Sequence, residues 1–306
     1  MYVKRDEEMP RGYRDFLEVK RRGAWDRIDE GLGKRVREIT AGKDGTLYAT
    51  TRLPAQALEF NFRSSHWRPM PGANLVQITR ACDGSMAGID TAGELVGYDA
   101  SADKWVAAQG KNVPKLKRIK MCGKDEVYGT DAEGVLHAYW PSRGTWYRVP
   151  LVEGGNKGSA GTDVLLAEAM SEGKAAKGKA AKDAKGKGDS ARVVSFDCGC
   201  GGHLLVSDVA GRLWSRKNGA RDSFSIVAKG VKEVTMGHEV YLTDRDDRLF
   251  RFHLFPRVGV FGKKAQWEFM FIRMTKISAG RHGELYGRDL YGDSFAFRPL
   301  HRSPSW

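Results

Sequence analysis

A repeat of about 40 residues runs through the chain and constrains its fold more than any other sequence feature. The first three steps between its tryptophans are 42, 38 and 41 residues, and a later step is 39. The repeating tryptophans are Trp25, Trp67, Trp105, Trp146, Trp267 and Trp306. Phe224 fills the position missing from the long gap, where a low-complexity segment adds length. A period of this length is typical of propellers and of solenoid proteins.

Two further sets of apolar residues keep the same period. An apolar pair with a spacing of three follows each aromatic anchor: Val36 and Ile39, Leu75 and Ile78, Leu116 and Ile119, Val193 and Phe196, Val231 and Val234, Met274 and Ile277. A second strand centre follows each pair: Tyr48, Ala87, Tyr128, Leu205, Tyr241 and Tyr286. Short apolar segments separated by turns predict about four strands in each repeat, as in a propeller blade.

An acidic residue marks one turn in five of the six repeats. These residues are Asp90, Asp131, Asp208, Asp244 and Asp289, and Thr51 takes their place in the first repeat. A glycine follows three residues later in four of the five. Asp accepts hydrogen bonds from nearby backbone amides, and Gly supplies the positive φ that tight turns require. We therefore interpret these Asp residues as structural turn residues between two strands, and not as catalytic carboxylates.

The sixth repeat resembles the tectonin repeat. It has a leading Trp267, then Ile277-Ser278-Ala279-Gly280, then Gly283-Glu284-Leu285-Tyr286-Gly287. The resemblance extends over residues 24–306 and implies an all-β, six-bladed propeller with four-stranded antiparallel blades. Trp306 occupies the position that would begin a seventh repeat, so we expect the ring to close between the N- and C-terminal repeats.

Two segments lie outside the repeat pattern. Residues 1–23 form an N-terminal arm, and residues 151–190 form a Lys-, Ala- and Gly-rich insertion within the fourth blade. Such a composition cannot bury a core, so a solvated loop is one interpretation. The other is a tether to an acidic partner through Lys174, Lys177, Lys179, Lys182, Lys185 and Lys187.

The chemistry of the sequence points to binding and not to catalysis. The net charge is +13 with a pI near 9.6, which favours acidic partners. We find no phosphate-binding loop, nucleophile elbow or zinc-protease motif, and therefore expect no catalytic residues, no enzyme activity and no cofactor. No run of about 18 apolar residues occurs, so no membrane insertion is expected.

Four cysteines occur, at Cys82, Cys122, Cys198 and Cys200. Without an apparent secretory signal, we expect free thiols in a reducing, cytoplasmic location. The first strand of each blade lies innermost in the tectonin family, so the resemblance implies that three neighbouring repeats place thiols near one end of a central channel. Zinc sites, however, need about four ligands and usually show paired spacings that this sequence lacks, so no metal is expected.

Three functions remain open at this point. The first is a structural adaptor, a monomeric propeller within a large assembly that binds an acidic surface such as tubulin. An axonemal, microtubule-associated protein of the cytoskeleton or cilium is its most specific form. The second is a carbohydrate-binding lectin, as the tectonin resemblance also implies. The third is an RNA-associated or ribosomal factor, which is less favoured because no aromatic and basic recognition motif is present.

Overall fold

The structure is a computed structural model, and its description covers twelve stretches of the chain. They are residues 23–28, 35–42, 46–61, 66–72, 74–108, 113–123, 125–151, 191–216, 224–237, 239–253, 266–280 and 283–299. The predicted Lys-rich tether, most of the N-terminal arm and Trp306 lie outside these residues.

The first three sheets each contain four consecutive antiparallel strands. Blade 1 has β2 (Val36–Ala41), β3 (Leu47–Thr51), β4 (Ala57–Asn61) and β5 (His66–Pro69). Blade 2 has β6 (Leu75–Arg80), β7 (Met86–Asp90), β8 (Leu95–Asp99) and β9 (Lys104–Ala107). Blade 3 has β10 (Arg118–Gly123), β11 (Glu126–Thr130), β12 (Leu136–Trp140) and β13 (Thr145–Arg148), with a 3₁₀ turn at Pro141–Arg143.

The remaining three sheets complete the ring. Blade 4 has β14 (Val193–Cys198), β15 (Leu204–Asp208), β16 (Arg212–Arg216) and β17 (Ser225–Lys229). Blade 5 has β18 (Val231–Met236), β19 (Val240–Asp244), β20 (Arg248–His253) and β21 (Gln266–Arg273). Blade 6 combines β22 (Lys276–Ala279), β23 (Leu285–Arg288) and β24 (Ser294–Pro299) with the first strand of the chain, β1 (Gly23–Arg27).

Pairing of β1 with β24 closes the ring. The two strands are antiparallel, and Trp25 lies opposite Phe297. The inner strands contact one another in the order β2, β6, β10, β14, β18, β22 and back to β2. The predicted six-bladed, four-stranded propeller with closure between terminal repeats is therefore confirmed. Closure matters because β1 covers the edge of β24, which would otherwise be free to pair with another chain.

The core lies between neighbouring sheets. All five residues of β3, β15 and β19 are buried, whereas the outer strands β5 and β9 are largely exposed. The repeating aromatics lie on or next to outer strands. Trp105, Trp146 and Phe224 each pack into an apolar cluster that also contains residues of the preceding blade. Trp25 likewise lies on the outer strand of blade 6. Each sequence repeat therefore begins with the outer strand of one blade and continues with the three inner strands of the next blade.

The turns between second and third strands share one face of the ring with the connections between blades, because consecutive strands are antiparallel. We call this the Asp-turn face. Backbone carbonyls in these turns accept hydrogen bonds from the start of the next inner strand: Gly93 from Leu116, Gly134 from Val193, Gly211 from Val231, and Asp247 from Met274. Asp247, which replaces the usual glycine, adopts a φ of 61°.

The acidic turn residues accept backbone hydrogen bonds, and Asp208 also accepts one from a tryptophan of the core. Asp90 Oδ1 accepts from the amides of Ala92 and Glu94 in an exposed turn. Asp208 is only 1% exposed, and it accepts bonds from the Arg212 amide, the Arg212 side chain and Trp214 Nε1. Its carboxylate therefore connects a turn to the core of blade 4.

We predict that Asp208→Ala lowers the free energy of unfolding by about 2–3 kcal/mol, because buried Trp214 Nε1 loses its partner. Asp90→Ala is the matched control and should cost about 1 kcal/mol, since water can replace its exposed bonds. Urea denaturation of both variants measures the difference. Equal losses would contradict the assigned role of Asp208.

Candidate functional site

The central channel is the site at which all six blades meet. A cavity of about 210 Å³ is lined by residues of the six inner strands. The third residue counted from each apolar anchor is polar in every blade: Glu38, Gln77, Arg118, Ser195, Glu233 and Lys276. Strand twist and closure thus concentrate charged and polar side chains in a narrow space, where their mutual interactions are strong.

One buried carboxylate, Glu233, pairs with two cations of this channel. The side chain of Glu233 is 8% exposed, and it accepts hydrogen bonds from Arg118 at 3.0 Å and Lys276 at 2.5 Å. Burial raises the pKa of Glu233, but the two cations outweigh that effect and hold the pKa below its usual range. Glu233 therefore joins blades 3, 5 and 6 as a carboxylate.

Side chains on the inner strands also accept hydrogen bonds from backbone amides of neighbouring blades. Thr79 Oγ1 accepts from the Met121 amide, Thr235 Oγ1 from Ala279, and Ser278 Oγ from Ala41. Asp197, which is fully buried, plays the same role for the Met236 amide and also accepts from the Thr235 hydroxyl. These residues occupy equivalent positions in their blades, so a recurring bond connects successive inner strands.

The boundary between blades 3 and 4 departs from this pattern. The equivalent position in blade 3 is Lys120, whose ammonium group cannot accept a hydrogen bond. Its Nζ instead lies 3.9 Å from Asp197 Oδ1. A disulfide between Cys122 of β10 and Cys198 of β14 joins the two blades there, with a Cα–Cα distance of 5.6 Å.

The expectation of free thiols was wrong. A second disulfide joins Cys82 and Cys200, again with Cα atoms 5.6 Å apart, and no cysteine remains free. It connects the first turns of blades 2 and 4 on the face opposite the Asp-turn face. Cys200 is exposed, whereas Cys122 and Cys198 are buried. The physical reason for the error is that inter-blade pairing depends on ring geometry, which spacing along the chain does not reveal.

A second concave region lies between blades 2 and 3. This groove has a volume of about 710 Å³ and is lined largely by apolar residues, including Met86, Val106 and Met121. Two aromatic residues, Tyr98 and Tyr139, also line it. Tyr98 packs against Trp105 with ring centroids 5.1 Å apart, and Tyr139 stacks on Trp146 at 4.8 Å. The volume of this groove is in the range of small-molecule binding sites.

The turn residues predicted from sequence do not converge on the channel. The turn residues Asp90, Asp131, Asp208, Asp244 and Asp289 lie around the Asp-turn face, and the predicted lysines lie outside the described residues. Sequence reasoning missed Arg118, Glu233 and Lys276. The available signal was their shared position, third from the apolar anchor, where every repeat has a polar residue.

In the twelve described stretches, no group of three or more His, Cys, Asp or Glu side chains is arranged to hold a metal ion. That same part of the chain contains no helix with the length and apolar character needed to cross a membrane.

Comparisons with known proteins show the fold alone. No family model and no curated protein matches the sequence. The β-propeller of Myceliophteria thermophila Cps50 (Swd1) is 14% identical with a TM-score of 0.52, covering 85% of each chain. YCF48 from Cyanidioschyzon merolae is 11% identical with a TM-score of 0.51, covering 90% of this chain and 85% of its own. The propeller class of the fold is thus established, and the tectonin resemblance remains a prediction.

An enzyme also shares this fold. A catalytically inactive virginiamycin B lyase from Staphylococcus aureus, solved with quinupristin, is 9% identical with a TM-score of 0.52. The match covers 87% of this chain and 81% of the lyase. Because similar propellers include an enzyme, fold similarity by itself does not decide whether this chain is catalytic.

We predict that Glu233→Gln lowers the free energy of unfolding at pH 7 by about 1–3 kcal/mol, since two cations lose their carboxylate. Glu233 has a depressed folded-state pKa, so its contribution is present above the unfolded-state pKa of about 4.3. It is lost as the pH falls through the lower folded-state pKa. Urea denaturation from pH 7 downward should therefore show the two proteins converging in acid.

Asp246→Asn is the control for this measurement. Its side chain is 67% exposed and lies 3.4 Å from Arg248, so its loss should change stability by at most about 0.5 kcal/mol. A difference between Glu233→Gln and the parent protein that stays constant with pH would refute the assigned role of the carboxylate.

Proposed function

We propose that this chain is a non-catalytic adaptor within a large assembly and that it binds an acidic macromolecular surface. The observation that carries the proposal is where its negative charges lie. Asp197, Asp208, Glu233 and Asp244 are all buried and bonded inside the ring. Each of them is neutralised by nearby Lys or Arg side chains, so they are not available to repel an acidic partner from a chain whose net charge is +13.

Two buried carboxylates of the inner strands support a structural role. Asp197 accepts bonds from backbone and Thr235, and Glu233 is neutralised by Arg118 and Lys276. A general acid or base needs a carboxyl group that can reach a substrate proton. These two groups are already engaged in holding blades together, so their positions are better explained by stability than by chemistry.

The specific surface that we propose is the wall of a microtubule, which is acidic. The lysines from Lys174 to Lys187 would provide an electrostatic tether, with the ring as a rigid platform for other partners. Such a tether depends on many weak contacts and is screened by salt. This form of the proposal places the protein in the cytoskeleton, including the axoneme of a cilium or flagellum.

We predict that the full chain co-sediments with microtubules at low ionic strength and that binding weakens as salt is added. Replacing Lys174, Lys177, Lys179, Lys182, Lys185 and Lys187 by Gln should weaken the affinity about tenfold or more. The matched control replaces the same six residues by Arg, which preserves charge, and should bind as the parent does. Absence of co-sedimentation at low salt would remove the microtubule proposal.

A second candidate is a carbohydrate-binding lectin, and the two disulfides favour it. Disulfides persist mainly in oxidising compartments, whereas microtubules lie in the reducing cytosol. The groove between blades 2 and 3 offers the partly exposed ring of Tyr98, and aromatic rings provide apolar faces for stacking. This combination supports sugar recognition outside the cytosol.

The two candidates make opposite predictions for the cysteines. In both cases the protein is isolated from its own cell, denatured without a reductant and treated with iodoacetamide. A lectin should bind ligands on a glycan array and should resist alkylation at all four cysteines, as measured by mass spectrometry. A cytosolic adaptor should be alkylated at Cys82, Cys122, Cys198 and Cys200 and should bind no glycan. Alkylated cysteines together with an empty array would remove the lectin candidate.

A further inference from the structure

Positive charge is in excess in the central channel. Five cationic residues and two carboxylates line its cavity. The cations are Arg37, Lys117, Arg118, Lys120 and Lys276, and the carboxylates are Glu38 and Glu233. Repulsion among these cations costs more free energy in a narrow, partly desolvated space than on an open surface, because the effective dielectric constant is lower.

Three of the five cations already have anionic partners. Arg118 and Lys276 share Glu233. Lys120 lies 3.9 Å from Asp197, which is buried behind the channel wall. The second carboxylate, Glu38, accepts a hydrogen bond from Gln77 Nε2 at 2.9 Å. Counting Glu38, Glu233 and Asp197 against the five cations leaves an excess of two positive charges, and two of the cations have no ion-pair partner among the described residues.

Those two cations are Arg37 and Lys117, and they lie at the same end of the channel. Each follows the first apolar anchor of its inner strand, Val36 in blade 1 and Leu116 in blade 3. The equivalent residue in the blade between them is Val76. Both cations are exposed at the Asp-turn face, and neither forms an ion pair within the part of the chain that the structure describes.

The size of the cavity limits what can neutralise them. A volume of about 210 Å³ corresponds to about seven water molecules at ~30 Å³ each. Pockets for drug-sized ligands are larger, at roughly 300–1,000 Å³. The cavity therefore suits a single compact anionic group. Arg and Lys together favour oxyanions with several acceptor atoms, because guanidinium binds two oxygens at once.

We propose that the channel entrance on the Asp-turn face is a binding site for a phosphate group, held by Arg37 and Lys117. The group is either free phosphate or the phosphoryl group of a modified protein side chain, since both present the same oxygens. This site is independent of the proposed microtubule contact, because it uses neither the Lys-rich segment nor an extended acidic surface.

The test is isothermal titration calorimetry of the full chain with inorganic phosphate, at an ionic strength held constant with sodium chloride. We expect saturable binding that chloride does not reproduce. The double variant Arg37→Gln/Lys117→Gln should bind phosphate at least about tenfold more weakly. Lys229→Gln, an exposed cation on the outer strand β17, is the matched control and should stay within about twofold of the parent.

A second titration distinguishes the two sources of the phosphate group. A short peptide with one phosphoserine that binds about tenfold more tightly than inorganic phosphate would assign the site to a phosphorylated partner. Equal or weaker peptide binding would assign it to free phosphate. Circular dichroism and thermal melting confirm that the variants fold.

Two results would overturn the proposal. One is the absence of phosphate binding at constant ionic strength. The other is unchanged binding in the folded double variant, which would place the phosphate elsewhere on this basic chain. Because no microtubule is present in the experiment, its failure leaves the adaptor proposal standing, and failed co-sedimentation leaves the phosphate site standing.

Discussion

The structure depends on the bonds between neighbouring inner strands. Six separate sheets form one ring only if their innermost strands approach closely, and close approach removes water from backbone amides, which then need other partners. Thr79, Asp197, Thr235 and Ser278 supply those partners across blade boundaries. The apolar clusters between sheets provide most of the burial, while these bonds determine which faces meet and in what register.

The close approach of the innermost strands also determines which side chains line the channel. Residues that alternate along an inner strand point to opposite sides, so polar residues at alternate positions converge on the axis. Where a carboxylate and two cations coincide, as at Glu233, the charges neutralise one another. Where cations outnumber carboxylates, unpaired cations remain at the entrance of the channel. An interior built for stability thus leaves a charged opening, and that opening can bind a ligand.

The cysteines connect stability with the choice of function. Lys120 interrupts the recurring inter-blade bond, and the Cys122–Cys198 disulfide lies at the same boundary. A covalent bond across the boundary can compensate for the missing hydrogen bond only where oxidation is maintained. The redox state of the protein in its cell therefore bears on blade packing and on the choice between an intracellular adaptor and a lectin.

The amino-acid sequence is sufficient to predict the repeat and therefore the sheets. The spacing of Trp67, Trp105 and Trp146 predicted the blades, because a periodic apolar pattern reports local strand formation directly. It did not determine which distant residues meet. Glu233 lies 115 residues from Arg118, and Cys82 lies 118 residues from Cys200. Only the closed ring decided those contacts, since it fixes which strands are neighbours irrespective of their separation along the chain.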